Sequence, residues 1–325
     1  MSVRARDQER THQAPVMEPQ NRRLGGVLCY PASGMLGHVT IVGCGLIGGS
    51  LVKALRARKG AQSLSVVDRD GVVSAAMPYV DDAASIGSAR ARELVSKADL
   101  VVLAMPVFAI IQSLDWVLGA IQDTAVVTDT GSVKVPVLEA AGRHARSARF
   151  VPGHPMAGRE VGGFDAAAVD LFDNARWFVV EGADRDACSR AFALARSVGA
   201  EPKTIDAGDH DRAMAFVSHA PQVVASALYA AAAAAGVLGE AGPGFRDSTR
   251  IAGGGSSMWR DIIETNGPAI GAALAHILAP LDRLRDKLTQ GDASAVAEAM
   301  SVLEAAQMAK VKSAALRGHE GEPGR

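Results

Sequence analysis

Cysteine is scarce in this chain, and the few copies are scattered. The 325 residues contain three, at Cys29, Cys44 and Cys188, and no two of them form a Cys-x-x-Cys pair. An odd, dispersed set argues against a disulfide framework and against a zinc site. We therefore expect no bound metal and a reducing compartment, the cytoplasm.

Long apolar runs are also missing. No stretch reaches the ~20 residues needed to span a bilayer, and the alanine-rich run at 229–236 is too short. Residues 1–24 are polar and contain arginine, without the apolar core of a signal peptide. We predict a disordered N-terminal extension over 1–34, and Met35, directly before the first predicted strand, is an alternative start of translation.

Neither sign of charge is in excess. The chain has 34 basic and 35 acidic side chains, for a net charge of -1. Such a balance argues against nucleic acid as the main partner, whereas a few local cations suffice to bind an anionic small molecule. We expect a small-molecule substrate and neither a nucleic-acid nor a membrane partner.

Short β-branched runs alternate with helical segments in the N-terminal part of the chain. The runs lie at 38–43, 63–68, 99–105, 124–129, 149–152 and 175–180, and the first is followed by helical spacing at 46–58. Strands that alternate with helices in this way predict a doubly wound parallel sheet.

A glycine-rich turn, Gly43-Cys44-Gly45-Leu46-Ile47-Gly48, joins the first strand to the first helix, and Asp68 follows 20 residues later. In a Rossmann dinucleotide site the glycines allow a tight turn and close approach of the pyrophosphate, while the acid binds the ribose hydroxyls. That carboxylate would repel a 2′-phosphate, so we predict NAD; Arg69, which we expect to stack on adenine, keeps NADP as the alternative. The predicted cofactor-binding residues are Gly43, Gly45, Leu46, Ile47, Gly48, Asp68, Arg69, Met105 and Pro106.

The sequence changes character near residue 205, where β-branched runs give way to alanine, leucine and methionine at helical spacing. This pattern predicts long helices over 209–236, 257–288 and 292–316. We therefore predict an α/β protein in which an N-terminal Rossmann domain (35–205) is followed by an all-α C-terminal domain (206–316) and a disordered tail (317–325).

One histidine lies where a substrate would meet the nicotinamide. His154 follows the dinucleotide-binding strands, in a segment that we interpret as a loop bounded by Gly153 and Pro155. Imidazole accepts a proton near neutral pH, although a histidine beside proline also suits a structural role. Ser132 follows the strand at 124–129, where its hydroxyl can orient a substrate hydroxyl or the imidazole. We predict that His154 and Ser132 are catalytic.

Five ordered motifs between about 39 and 261 resemble the prephenate and arogenate dehydrogenases of tyrosine biosynthesis. They are Val42-Gly43-Cys44-Gly45-Leu46-Ile47-Gly48-Gly49-Ser50, Asp129-Thr130-Gly131-Ser132-Val133-Lys134, Gly153-His154-Pro155-Met156-Ala157-Gly158, His210-Asp211 with Ser218-His219-Ala220-Pro221, and Phe245-Arg246-Asp247-Ser248-Thr249-Arg250-Ile251-Ala252 with Met258-Trp259-Arg260-Asp261. The resemblance implies an oxidative decarboxylation: prephenate loses a hydride from C4 to NAD and CO2 from C1, giving 4-hydroxyphenylpyruvate. It also implies a homodimer.

The resemblance assigns roles to individual residues. His154 matches the histidine that polarises the C4 hydroxyl, and Ser132 matches the serine that hydrogen-bonds that group. Arg250 matches the arginine that binds a substrate carboxylate, and Glu160 matches a position that pairs with it and gates entry. Trp259 would border the active site. Without the resemblance, Arg250 is also compatible with a solvated helix start and Trp259 with the core.

Helical geometry groups further candidates on the segment 209–236. Ser218 and Gln222 share a face and His210 lies near the helix start, whereas His219 points about 180° away from His210 on an unkinked helix, an assumption that Pro221 can upset. We therefore predict that His210, Ser218 and Gln222 bind substrate and that His219 is structural. Many family members have a second histidine in place of Gln222, so the choice between prephenate and arogenate, or a broad cyclohexadienyl specificity, stays open.

Two other functions remain as alternatives. A β-hydroxyacid dehydrogenase or imine reductase shares this architecture, but usually relies on a lysine in the first helix of the second domain, and 209–236 contains none. A non-catalytic NAD-binding sensor would need no placed histidine, serine or arginine. The family resemblance implies a cyclohexadienyl dicarboxylate as the substrate.

Overall fold

A six-stranded parallel sheet carries the N-terminal part of the fold. Its strand order is β3-β2-β1-β4-β5-β6. The strands are β1 Leu36–Val42, β2 Ala61–Asp68, β3 Asp82–Ser85, β4 Leu100–Leu103, β5 Val126–Asp129 and β6 Phe150–Val151. The computed structural model describes residues 35–159, 161–181, 184–253 and 256–319. The predictions for 1–34 and for Glu160, and that for the tail beyond 319, lie outside these residues.

Helices cover both faces of this sheet. They are α1 Leu46–Arg58, α2 Asp70–Ala76, α3 Ala89–Lys97, α4 Val107–Ala120 and α5 Val135–Ala141. The strands are continuously apolar because side chains on both faces are enclosed: all of β4 and β5 is buried. The order places β1 beside β4, at the point where the chain reverses its direction of winding, which is where such sheets bind ligands. The predicted Rossmann sheet is confirmed.

A second, smaller sheet follows, in the order β7-β8-β9. It contains β7 Gly153–Pro155, β8 Arg176–Val180 and β9 Glu201–Ile205, with α6 Arg185–Ser197 between β8 and β9. Two expectations are wrong here. The strand at 175–180 does not extend the parallel sheet, and the segment predicted as a loop around His154 is a strand, because it pairs antiparallel with β8.

The C-terminal region is helical, as predicted, but its helices are divided differently. They are α7 Ala207–Met214, α8 Ala220–Ala234, α9 Pro243–Thr249, α10 Ser256–Gln290 and α11 Ala295–His319, with a π-helical segment, Ala215–His219, between α7 and α8. The single helix predicted over 209–236 is therefore wrong in its middle. Pro221 has no N–H to bond the carbonyl of Val217, which disfavours regular α-helix just before it. The last helix reaches His319 and so includes the start of the tail predicted to be disordered.

Large apolar side chains are exposed along α10 and α11, among them Leu278, Leu281, Leu288, Val296, Met300, Leu303, Met308 and Val311. None of the described helices combines the length and apolarity that crossing a membrane requires.

Candidate active site

The turn between β1 and α1 has the geometry of a dinucleotide cradle. Gly43 has a φ of +90°, in the left-handed region, and a Cβ on Gly48 would lie 1.9 Å from the carbonyl oxygen of Gly43. A larger residue would therefore prevent the close packing of helix on strand. Gly45 has nothing within 4 Å of its Cβ position, and no side chain caps α1 within the described residues. The first N–H groups of α1 are thus open to an anion such as pyrophosphate.

Asp68 ends β2 beside this turn. Its Oδ2 accepts a hydrogen bond from the Cys44 N–H at 2.5 Å, which places the carboxylate against the glycine turn. The neighbouring Arg69 is 85% exposed, and its Nε lies 3.8 Å from Asp68 Oδ1. Met105, just after β4, packs against the glycine turn, since its Cγ occupies the space that a Cβ on Gly43 would need. The turn, the acid and the β4 terminus therefore enclose one site that fits a dinucleotide.

Two histidines and a carboxylate form a hydrogen-bonded chain. His154 Nδ1 lies 2.9 Å from His210 Nε2, and His210 Nδ1 lies 2.7 Å from Asp211 Oδ1. The ring of Phe178, next to His154 across the sheet, packs edge-on against His210 with centroids 5.7 Å apart. His210 is fully buried and His154 is half-buried.

The hydrogen bonds from His154 through His210 to Asp211 determine which ring nitrogens carry protons. A carboxylate only accepts, so His210 Nδ1 donates to Asp211 and, in the neutral ring, Nε2 accepts. His154 Nδ1 must then donate, which leaves the lone pair of neutral His154 on Nε2. The pKa of His154 lies well below 6.5 because the ring is buried, with His210, Lys134 and His219 also disfavouring its charge. Burial likewise lowers the pKa of His210, against the opposing effect of Asp211. In this arrangement the neutral ring of His154 has its unprotonated nitrogen at Nε2.

Asp211 also connects the histidines to the turn that carries Ser132. Its carboxylate accepts the N–H groups of Lys134 at 2.7 Å and Val135 at 2.8 Å, at the start of α5. Ser132 is half-buried in this turn. No hydrogen bond joins Ser132 to His154 within the described part of the chain, so their cooperation in catalysis stays a prediction.

His219 lies nearer to this cluster than expected. The Asn266 side-chain amide donates both to the Asp211 carbonyl at 2.9 Å and to His219 Nδ1 at 3.1 Å. Burial lowers the pKa of His219 to about 4, so the ring is neutral near pH 7. Because Nδ1 accepts from Asn266, the proton of the neutral ring lies on Nε2. The expectation that His219 points away from His210 assumed an unkinked helix, and the π-helical segment Ala215–His219 removes that assumption. Among the described residues, Nε2 has no partner, which leaves a buried donor available to a ligand.

Among the remaining predicted residues, Trp259 contacts this cluster. The Trp259 ring packs edge-on against His219, with centroids 6.1 Å apart. Gln222 is buried in the first turn of α8, and Ser218 is half-buried in the π-helical segment. Arg250 is exposed and begins the 3₁₀ turn Arg250–Gly253, which packs against α8. No described hydrogen bond joins Ser218, Gln222 or Arg250 to His154.

A cavity of about 320 Å³ opens on the second sheet, lined by Met156, Asn174, Arg176, Phe178, Glu201, Met214 and Val217. It contains none of the predicted site residues, and we do not assign the substrate to it.

Two family models match consecutive parts of the chain. The model described as prephenate dehydrogenase, nucleotide-binding domain, matches residues 51–203, and that described as prephenate dehydrogenase, dimerization domain, matches 206–302. The chain belongs to the prephenate dehydrogenase family. This membership confirms the resemblance of the five motifs.

Individual members of the prephenate dehydrogenase family resemble the whole described fold. A cyclohexadienyl dehydrogenase of Zymomonas mobilis is 29% identical over 283 residues, which are 84% of this chain and 95% of that protein. The structure of prephenate dehydrogenase from A. aeolicus in complex with hydroxyphenyl propionate and NAD+ has a TM-score of 0.75 and 26% identity, covering 84% of this chain and 98% of its own. Synechocystis arogenate dehydrogenase has a TM-score of 0.71 and 28% identity, covering 85% of this chain and 99% of its own.

Sequence reasoning missed four residues of this dehydrogenase's polar cluster: Asp129, Lys134, Asp211 and Asn266. Asp129, Lys134 and Asp211 stand inside the quoted motifs, and an acid next to His210 or an acid at the end of a buried strand was a usable signal. Asn266 had none. It sits at a kink within α10, with φ −120° and ψ 17°, and only the tertiary fold brings it to His219.

Proposed function

We propose that this protein oxidatively decarboxylates prephenate to 4-hydroxyphenylpyruvate with NAD as the hydride acceptor, in the tyrosine branch of aromatic amino acid biosynthesis in the cytoplasm. The observation that carries the proposal is the chain from His154 through His210 to Asp211. It supplies a neutral base with a fixed tautomer in a protein whose β1–α1 turn fits a dinucleotide.

The reaction needs a proton acceptor only for part of its course. A hydride leaves ring C4 while the C4 hydroxyl proton moves to His154 Nε2, and the C4–O bond gains double-bond character. The bond between C1 and the carboxylate then breaks and CO2 leaves. The electron pair of that bond stays with the ring, which becomes an aromatic phenolate. His154 returns the proton to that oxygen. The dianionic substrate thus gives a monoanionic product, CO2 and one hydride, with no net release of protons.

The His210–Asp211 pair stabilises protonated His154 in this cycle as long as His210 itself stays neutral, because a charge on His210 would oppose one on His154. When Nε2 of His154 is protonated, the positive charge is shared along the hydrogen bond to His210, whose far side faces a carboxylate. A buried imidazolium is unfavourable without such a partner. General-base catalysis of this kind contributes typically ~10²–10⁴-fold to rate.

NAD is supported as the acceptor by the residues around the glycine turn. When bound, its nicotinamide accepts the hydride that leaves C4. Asp68 ends β2 against this turn, where a carboxylate would bind ribose hydroxyls and repel a 2′-phosphate, while the Arg69 side chain is exposed. The A. aeolicus relative was solved with NAD+.

Arogenate is the second candidate substrate, and a buried amide favours it. Gln222 is almost fully buried yet carries no charge, so it compensates a side-chain carboxylate less than a cationic histidine would. It suits the amino acid side chain of arogenate, with Arg250 left to bind the ring carboxylate in both substrates. The Synechocystis relative is an arogenate dehydrogenase.

We further propose a homodimer built through the C-terminal helices. The matching family model is described as a dimerization domain, and the exposed apolar side chains of α10 and α11 form the kind of surface that a second copy covers. Light scattering should return twice 33.6 kDa, and a monomer mass at micromolar concentration would refute this.

The proposed activity is tested by following NADH absorbance with purified protein, offering prephenate and arogenate, each with NAD and with NADP. We expect turnover of prephenate with NAD, and loss of ~10²–10⁴-fold in kcat for His154→Asn with NAD affinity retained. Tight NAD binding without turnover of either substrate would indicate a non-catalytic sensor. Near-normal kcat in His154→Asn would make the histidine structural.

A further inference from the structure

Lys134 is a buried cation between β5 and α5 to which the proposed chemistry gives no part. Its side chain and that of its partner Asp129 are both 0% exposed. The ammonium donates to the Asp129 carboxylate and, at 2.7 Å, to the carbonyl oxygen of Gly153. An unpaired ammonium is strongly disfavoured in such a place, so these partners must be held in position around it.

The Asp129 carboxylate binds the same two segments. Its Oδ1 accepts the Gly153 N–H at 3.1 Å, and its Oδ2 accepts the Gly131 N–H at 2.8 Å. Both backbone polar groups of Gly153 are therefore bound to the ion pair, and Gly153 directly precedes His154. The turn that contains Ser132 is closed by the same pair, because Asp129 and Lys134 stand at its two ends.

The main chain of Lys134 reaches the histidines from the other side. Its N–H donates to Asp211 Oδ1 at 2.7 Å, the same oxygen that lies 2.7 Å from His210 Nδ1. Through its side chain and its backbone, Lys134 thus contacts the elements that carry Ser132, His154 and His210.

We propose that Lys134 is a positioning residue: paired with Asp129, it holds the turn of Ser132 against the strand of His154. The role rests on the proposed function, because it is defined by the work assigned to His154. The ion pair nonetheless has a consequence for His154 that is measurable without substrate.

That consequence is electrostatic. Within the described residues, the charged and titratable groups around His154 are Lys134 before α5, Asp129 on β5, His210 and Asp211 on α7, and His219 in the π-helical segment. Lys134 lowers the pKa of His154, after burial and His210, and it also lowers the pKa of His210. Replacing the ammonium by a neutral group should therefore raise the pKa of His154.

The test compares Lys134→Met and the charge-balanced double variant Asp129→Asn/Lys134→Met with the wild type. The double variant is included because Lys134→Met alone strands a buried carboxylate and can fail to fold. NMR titration of ¹⁵N-labelled histidines and the pH dependence of kcat are measured for each. We expect the His154 midpoint and the acidic limb of kcat to move to higher pH together in Lys134→Met, and to move less in the double variant, which removes both charges of the pair. We expect kcat at neutral pH to fall about tenfold or more in both variants, with NAD affinity retained.

Arg149→Met is the matched control. Arg149 also anchors β5 through an ion pair and backbone carbonyls, binding Asp184 at 2.6 Å and Ala125 O at 2.9 Å, away from the histidines. It should lower Tm without moving the His154 titration or the pH profile.

Three results would overturn the proposal. They are an unmoved His154 titration in Lys134→Met, a kcat loss in either Lys134 variant that merely follows Tm as in Arg149→Met, or a wild-type His154 that titrates at an ordinary 6.5. The last measurement needs no variant. Absence of wild-type turnover would instead contradict the proposed function, and the titration would still decide the effect of Lys134.

Discussion

His154 Nδ1 lies 2.9 Å from His210 Nε2, and this contact determines the proton positions on both rings, because Asp211 accepts from the opposite side of His210. A lone histidine has no preferred orientation for its lone pair. Here the neighbouring side chains select the tautomer in which neutral His154 accepts a proton at Nε2.

The pH dependence of kcat should reflect the lowered pKa of His154. The neutral ring is the active form, and its pKa in the folded protein lies well below 6.5, mainly because of burial. Activity is therefore retained as the pH falls through 6.5 and is lost only where the ring becomes protonated. A kcat profile under saturating substrate tests this, and an acidic limb centred at or above 6.5 would contradict it.

Asp211→Asn should reduce kcat by roughly 10²–10⁴-fold, the scale of a lost general base. The new amide can donate to His210 Nδ1, which reverses the tautomers and leaves His154 Nε2 protonated. Asparagine keeps one acceptor for the N–H groups at the start of α5, so the loss of Tm should be modest. Steady-state kinetics with a thermal melt separate the two effects, and unchanged kcat would show that the tautomer does not matter.

Asp68→Ala should lower NAD affinity and narrow the preference for NAD over NADP. The change removes hydrogen bonds to the ribose and the repulsion of a 2′-phosphate. Measured kcat/KM with both cofactors gives the ratio. If it does not move, the carboxylate serves only the Cys44 N–H that it binds in the structure.

Arg250→Gln should weaken both substrates alike, whereas Gln222→His should change the preference between them. Loss of one charge-assisted pair costs on the order of 1.5–3 kcal/mol, so Arg250→Gln should raise KM for both prephenate and arogenate. Gln222→His should improve prephenate relative to arogenate by offering partial positive charge to the keto-acid carboxylate. If Gln222→His leaves the ratio of kcat/KM for the two substrates unchanged while Arg250→Gln shifts it, the two residues bind opposite ends of the substrate from those proposed.

The dinucleotide-binding part of the fold could be predicted from the sequence because the patterns that indicate it are local. The helix at Leu46–Arg58 begins and ends where it was predicted, since a glycine turn and a β-branched strand precede it. Asp68 and His154 were identifiable because their residue types are tied to fixed positions after strands.

The polar cluster was only partly readable, because it is assembled by contacts between distant segments. The position of His219 depends on π-helical geometry that α-helical spacing does not describe, and Asn266 reaches it only through a kink in α10. The strand character of His154 depends on pairing with β8, whose partner no local pattern reveals.

The central claim is that this protein couples hydride transfer to decarboxylation of prephenate. Its most direct test is stoichiometry: purified enzyme, limiting prephenate and excess NAD, with NADH, CO2 and 4-hydroxyphenylpyruvate measured in the same reaction. We predict one equivalent of each per prephenate consumed, with no net change in protons once CO2 hydration is accounted for. NADH formed without an equal amount of CO2, or no NADH from either prephenate or arogenate, would contradict it.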